Sequence, residues 1–322
     1  MLWLTWRQHR WQLVGIAAVV AVYCGYLVLT GMNARDMLDG CPSVYSSTPR
    51  PPSCDTTEAL GMYGAVQEIL LFGNLLPVLA GIFWGAPLVA RELEQGTYRL
   101  SFTQSVPRRR WLTVKIGVLA GFAAIFGALV GTVVPWTMRQ FEPVVAARPF
   151  GNDYAWGQTG AVSAAVWAFA LILGAAVGLL LRRTMTAVAV TMAVLPLAIL
   201  GLVLLRPHLL PPVTAAVGAQ EMVPDTGGVF EKNDSRGILL DLSYRTADGQ
   251  RLSSVTAGEI CADPQNTYPT PQCLLDNHLK QILVYHPVSH YQWFQLIETA
   301  SLLALGGITV VVLRRRLTHH LI

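Results

Sequence analysis

The chain has 322 residues, of which 53% are hydrophobic and only 13% charged, with a net charge of +4 and a mean hydropathy of +0.45. Soluble domains carry about 25% charged residues, so the composition excludes an ordinary water-soluble globule and points to lipid as the solvent for much of the chain. The small basic surplus falls where membrane topology puts it, so it gives no ground for nucleic-acid binding.

The opening "MLWLTWRQHRW" interleaves Trp3, Trp6 and Trp11 with Arg7, His9 and Arg10. Tryptophan favours the headgroup layer and arginine the anionic inner surface, which predicts an amino-terminal interfacial helix lying along the membrane before the chain turns into it. A cleaved signal peptide is the competing reading. The apolar run that follows is longer than the usual core of about 7 to 15 residues and lacks a clear small-residue cleavage site, which favours an uncleaved anchor.

A charge-free run of about 18 residues or more can cross a hydrocarbon layer roughly 30 Å thick. Arg10 and Arg35 bracket the first such run, and residues 31–64, rich in Pro, Ser, Thr and Cys, read as a loop after it. Glu68 and Arg91 bracket the second, which contains Pro77 and Pro87; each removes a backbone donor and can bend the helix. The third lies between Lys115 and Arg139, the fourth between Asp153 and Arg182, and the fifth between Arg183 and Arg206. In the fourth, "GAAVG" at Gly174 to Gly178 suits close helix packing without naming the neighbour. Residues 206–290 are too long for a simple connector: "PPVTAAVGAQEMV" could hold a short apolar or re-entrant piece, and "GILLDLSYRTADGQRLSSVTAGEI" alternates in patches and could hold one or two strands. The sixth run, "FQLIETASLLALGGITVVVL", is interrupted by Glu298. The expected fold is an all-α polytopic membrane protein of six transmembrane helices. Residues 1–322 read as a single transmembrane domain with a large extracytoplasmic loop or small cap at 206–290 between spans five and six.

Orientation follows from charge. With the amino terminus inside, 13 of the 23 Lys and Arg fall on short inner segments and only Glu92 and Glu94, of 19 acids, lie inside. Both termini are then cytoplasmic. Cys41 and Cys54 share the first outer segment and Cys261 and Cys273 the last, so two local disulfides in an oxidising compartment are expected, with Cys24 a small apolar residue inside the first span. Neither pair has CxxC spacing or a histidine pair beside it, so no zinc site is expected.

Charge concentrates in "ARELEQGTYRLSFTQSVPRRRW", Ala90 to Trp111, between spans two and three. Gly96 can end the helix leaving the membrane, Thr97 can cap a new one, and Ser105 with Pro107 marks another stop and start. Between them "YRLSFTQ" has room for about two helical turns. Lipid headgroups account for Arg108 to Arg110, but not for exposed Tyr98, Leu100 and Phe102, because apolar groups on a short surface helix want a partner.

The stretch "ELEQGTYRLSFTQSVPRRRWLTVK" resembles the cytoplasmic signature of the type-2 ABC transporter permease family, in which Glu-x-Glu-x-Gly-Thr leads into a coupling helix and a Lys begins the third span. "LTWRQHR" and "HPVSHYQWFQLIET" resemble the amino terminus and last-span entry of actinobacterial members, so the likeness covers nearly the whole chain. The resemblance implies the transmembrane subunit of an ABC exporter in a bacterial plasma membrane. It would pair with a second permease protomer, identical or not, and with a cytoplasmic ABC ATPase. On that reading Glu92, Glu94, Gly96, Thr97, Tyr98, Arg99, Leu100, Phe102 and Gln104 form the ATPase-coupling site. ATP and Mg would belong to the partner, and this chain would carry no cofactor. Consistent with a separate motor, no GxxxxGK followed by Ser or Thr occurs.

An ion- or proton-coupled secondary transporter is the alternative. It needs ionisable groups deep in the membrane, and Glu298 lies sixteen residues before Arg314, about 24 Å at helical rise and so near the outer boundary. A membrane enzyme lacks support: there is no HExxH and no GxSxG. His208, His278, His286 and His290 read as surface histidines.

Overall fold

A computed structural model describes residues 2–42, 54, 56–96, 107–145, 149–217, 237–261 and 271–319. Among these residues six helices are long and apolar enough to cross a membrane. By its internal packing the chain divides into two compact units, one of residues 1–149, 153–205 and 295–322, the other of 150–152 and 206–294. The single-domain reading of the sequence thus resolves into a helical unit and a sheet unit.

In the helical unit the first element, α1 (Leu2–Met37), is one continuous helix of 36 residues. The expected separate interfacial helix is therefore corrected: the amino-terminal segment extends the first span. Nothing before Gly15 breaks it, since "MLWLTWRQHRW" holds neither Gly nor Pro. At helical rise α1 is about 54 Å long, well beyond the hydrocarbon thickness.

The second span is built in pieces. α2 (Thr56–Gly73) gives way at Asn74 to α3 (Leu75–Ala80), then to a π-turn over Gly81–Gly85 and to α4 (Ala86–Glu94). Pro87 has no N–H to offer the carbonyl four residues back, and the ladder widens just ahead of it, with the Ala86 N–H donating to the Gly81 carbonyl. The third span is α5 (Arg108–Arg139). A short α6 (Asp153–Trp156) leads into the fourth, α7 (Gly160–Leu181), and the fifth is α8 (Thr184–Leu205). The last, α11 (Tyr291–His319), follows the sheet unit.

α7 is the centre of the helical unit, with 14 of its 22 residues buried. The "GAAVG" stretch packs within the same protomer: a Cβ on Gly174 would lie 2.2 Å from the Gly81 carbonyl oxygen, and one on Gly178 2.2 Å from that of Ala86. At the start of α7 the backbone also meets α5: a Cβ on Gly131 would lie 2.5 Å from the Gly160 carbonyl oxygen. Small residues let these backbones touch, which is how helices associate where lipid is as apolar as leucine. By contrast only Ala187, Thr191 and Leu195 of α8 are buried.

The stretch "GILLDLSYRTADGQRLSSVTAGEI" holds two strands, as its pattern allowed, and among the described residues two more join them, one of them in "PPVTAAVGAQEMV", expected as a short apolar or re-entrant piece. Four strands, β1 (Val213–Val217), β2 (Ile238–Arg245), β3 (Arg251–Ser253) and β4 (Lys280–His286), form an antiparallel sheet of order β1-β4-β2-β3. Register sets Val213 opposite Tyr285, Leu242 opposite Leu283 and Ser243 opposite Ser253, with a bulge at Leu239 to Asp241. Ser253 caps α9 (Ser254–Ile260) by accepting the Thr256 N–H at 3.1 Å. α10 (Pro271–Asp276) follows. Tyr244, Ala257, Leu274, Leu279, Leu283 and Tyr285 form the core, and Cys261–Cys273 joins the two short helices. The second disulfide, Cys41–Cys54, follows α1, and Cys24 is free.

Candidate coupling site

The second span ends as its sequence dictates. α4 closes at Glu94, and Gly96 follows with φ +68, a left-handed conformation that only glycine adopts without cost, its N–H reaching the Leu93 carbonyl at 3.4 Å. Thr97, Tyr98, Arg99, Leu100, Phe102 and Gln104, and with them the expected coupling helix, lie outside the described residues.

The two acids on the last turn of α4 point to different helices. Glu92 forms an ion pair with Lys115 Nζ on α5. The Lys115 side chain is 4% exposed and the Glu92 side chain 20%, so the ammonium depends on its partner, and it also sits 5.6 Å from the centroid of the Trp111 ring. Glu94 accepts the Thr184 N–H at 2.8 Å. That N–H belongs to the first turn of α8, where amides lack intrahelical acceptors and the helix dipole favours a negative charge. Just ahead, Arg182 closes α7 in a left-handed conformation, φ 57, its N–H on the Gly178 carbonyl. A two-residue link therefore joins spans four and five, and Glu94 holds its far side.

The sequence reading named Glu92 and Glu94 but missed Thr184, whose contribution is a backbone N–H and leaves no trace in residue type. Lys115 carried a usable signal, as the last cation before the apolar run of the third span.

A second polar cluster went unread. The Tyr23 hydroxyl donates to Gln158 Oε1, and Gln158 Nε2 donates to the Leu70 and Tyr154 carbonyls at 2.7 and 2.9 Å. Gly73 leaves room for this, since a Cβ there would fall 2.1 Å from Gln158 Oε1. Asn74 Nδ2 donates to the Tyr154 carbonyl at 2.8 Å, and Gln295 Nε2 to Thr159 Oγ1 at 3.2 Å. Glu298, buried, accepts the Trp156 indole N–H at 2.7 Å. These bonds tie α1, the second span and α11 to α6 and the turn that leads from it into α7.

In the sheet unit His286 is corrected from surface to core: it is fully buried, its Nε2 3.1 Å from the Pro207 carbonyl and its ring 5.0 Å from that of Phe294. Burial, and then the neighbouring His290, push its pKa down from the ordinary 6.5 against the pull of the Pro207 carbonyl. His208 and His278 are exposed. Among the described residues no group of three or more His, Cys, Asp or Glu is placed to hold a metal ion.

No curated protein and no solved structure matches the chain. A family model does match it, over residues 17–206, which is more than half the chain and takes in spans one to five with both clamping acids. The chain belongs to the family described as ABC-2 membrane transporter related, and it is a multi-pass permease of the type-2 ABC transporter class.

Proposed function

We propose that this permease is the membrane-spanning half of an ATP-driven exporter in a bacterial plasma membrane. Both termini face the cytoplasm and the sheet unit faces outward. It works with a second permease protomer, identical or not, and with a separate cytoplasmic ABC ATPase that carries ATP and Mg. Thr97 to Gln104, with Tyr98, Arg99, Leu100 and Phe102 on it, is the segment that ATPase grips.

One observation carries this reading: the last turn of α4 is fixed to α5 through Glu92–Lys115 and to α8 through Glu94–Thr184. A force applied just beyond Gly96 is delivered to spans two, three and five at once. A lone surface loop would have no need of two such ties within three residues. Closure of the ATPase around ATP then tilts these spans against α7.

Co-purification tests it. Replacing Tyr98, Leu100 and Phe102 with Ser releases the ATPase, whereas Glu92→Gln with Glu94→Gln leaves it bound and abolishes stimulation of its hydrolysis by the permease. An ATPase that stays bound and stimulated in the triple-Ser variant overturns the reading. So does transport in vesicles driven by a proton gradient without ATP, the behaviour of a secondary carrier.

A further inference from the structure

A trough of about 320 Å³ runs along the helical unit between α1, the second span and α7. Gly15, Val19 and Phe83 form its exposed rim, and Trp84 and Trp167 its buried floor. Its walls lie within helices apolar enough to span the bilayer, so the medium facing it is hydrocarbon. Trp84 stands in the π-turn, buried, and its indole N–H has no hydrogen-bond partner. An unmade hydrogen bond in that setting calls for an acceptor brought by a ligand.

The polar end of the trough can be located. The Tyr23 hydroxyl lies beside Gly73, and Gln12 and Trp84 are each eleven residues further along antiparallel helices, so they meet roughly 16 Å away at one level. There His9 Nδ1 and Gln12 Oε1 are 2.6 Å apart, which leaves the Gln12 amide NH2 to donate. Arg91, exposed, follows Trp84 by seven residues, a spacing that returns it to the same helix face. The Cα–Cβ bond of a helical residue tilts toward the helix N-terminus, which from Arg91 is the side of Trp84.

We propose that this trough binds one acyl chain of a membrane phospholipid, with an ester carbonyl accepting from Trp84 Nε1 and the phosphate held at the Gln12 and Arg91 end. The acyl chain alone does not select the site, since bulk lipid is equally apolar. Selection comes from the acceptor on Trp84 and the anion at Arg91. His9, paired to Gln12, lies within electrostatic reach of Lys115 and Glu92, so the lipid headgroup sits beside the clamp at the end of α4. The assignment does not depend on the proposed ATPase.

The test is native mass spectrometry of the delipidated full-length protein titrated with phosphatidylglycerol or with diacylglycerol of the same chains. One phospholipid is retained per protomer, and diacylglycerol binds more weakly. A Cβ at Gly15 meets nothing within 4 Å, so Gly15→Leu fills the trough without disturbing the fold: retention is lost at unchanged melting temperature. Trp84→Phe weakens binding of both lipids by up to about tenfold. Arg91→Gln weakens only the phospholipid, by about fivefold. Retention by Gly15→Leu equal to the parent overturns the proposal. So does a Gly15→Leu protein that falls from dimer to monomer with lipid retention unaltered, which would make the trough a face for a second copy.

Discussion

The indole N–H of Trp156 donates to the carboxylate of Glu298 at 2.7 Å, joining the segment that enters the fourth span to the one acid within the sixth. An acid inside a span invites a role in proton transfer. A carboxylate fixed by a buried donor, near the end of its span, has a packing role instead.

Glu298→Gln is expected to keep that bond through its amide oxygen and to leave transport and its pH profile unchanged. Glu298→Leu leaves the buried Trp156 N–H unmet and costs about 1–3 kcal/mol of stability. Transport assays in vesicles at several pH values check the first expectation and thermal unfolding in detergent the second. Loss of transport in Glu298→Gln with stability intact would instead assign the residue to proton coupling.

The ion pair between Glu92 and Lys115 is expected to show strong coupling. Lys115→Met alone removes a cation beside Glu92 and Glu92→Gln alone strands a buried ammonium; the second is the worse, at about 3–5 kcal/mol. The double variant recovers most of that loss, because two neutral side chains carry no desolvation penalty. A double-mutant cycle by thermal unfolding measures the recovery, and additive single losses would show that the pair is not coupled.

Gly174 and Gly178 face backbone carbonyls of the second span, so neither tolerates a branched side chain. Gly174→Val or Gly178→Val is expected to cost about 1–3 kcal/mol or to prevent folding. Gly121→Val, where a Cβ meets nothing within 4 Å, is near neutral. Yield and melting temperature of the three variants side by side decide it.

These contacts show which parts of the fold were legible. Charge-free runs located all six spans, because length and charge alone govern whether a segment can cross lipid. Gly96 announced a helix end, and cysteines close in sequence announced their pairing. The π-turn left no comparable signal, since Pro87 says that the ladder is disturbed but not how it is repaired. β2 and β3 lie in the stretch whose alternation suggested strands, whereas β4, "KQILVYH", escaped because it is buried on both faces from Gln281 to Leu283 and so lacks the alternation that marks a half-exposed strand. Around the last turn of α4, side-chain charges could be read, whereas the Thr184 N–H could not, being common to every residue but proline.

The disulfide Cys261–Cys273 closes a loop between the two short helices beside the sheet core. Replacing both cysteines with Ser is expected to cost the sheet unit about 3 kcal/mol. The helical unit keeps its melting behaviour. Limited proteolysis of the full-length protein under oxidising and reducing conditions reads the difference: cleavage within 206–294 accelerates on reduction in the parent and is already fast, and insensitive to reductant, in the variant.

His286 makes the sheet unit sensitive to pH. Its folded pKa lies below the ordinary 6.5 because burial disfavours the imidazolium. The unfolded chain therefore binds the proton more readily than the folded one in the window below about 6.5. Stability is full above that value and is lost as pH falls through the window toward the folded pKa, where the loss levels off. His286→Phe preserves the contact with Phe294 and removes the titration. Proteolysis rates within 206–294, measured from pH 7.5 to 5 in full-length protein, are expected to rise as pH falls in the parent and to stay flatter in His286→Phe. Equal slopes in the two proteins would place the proton on another group.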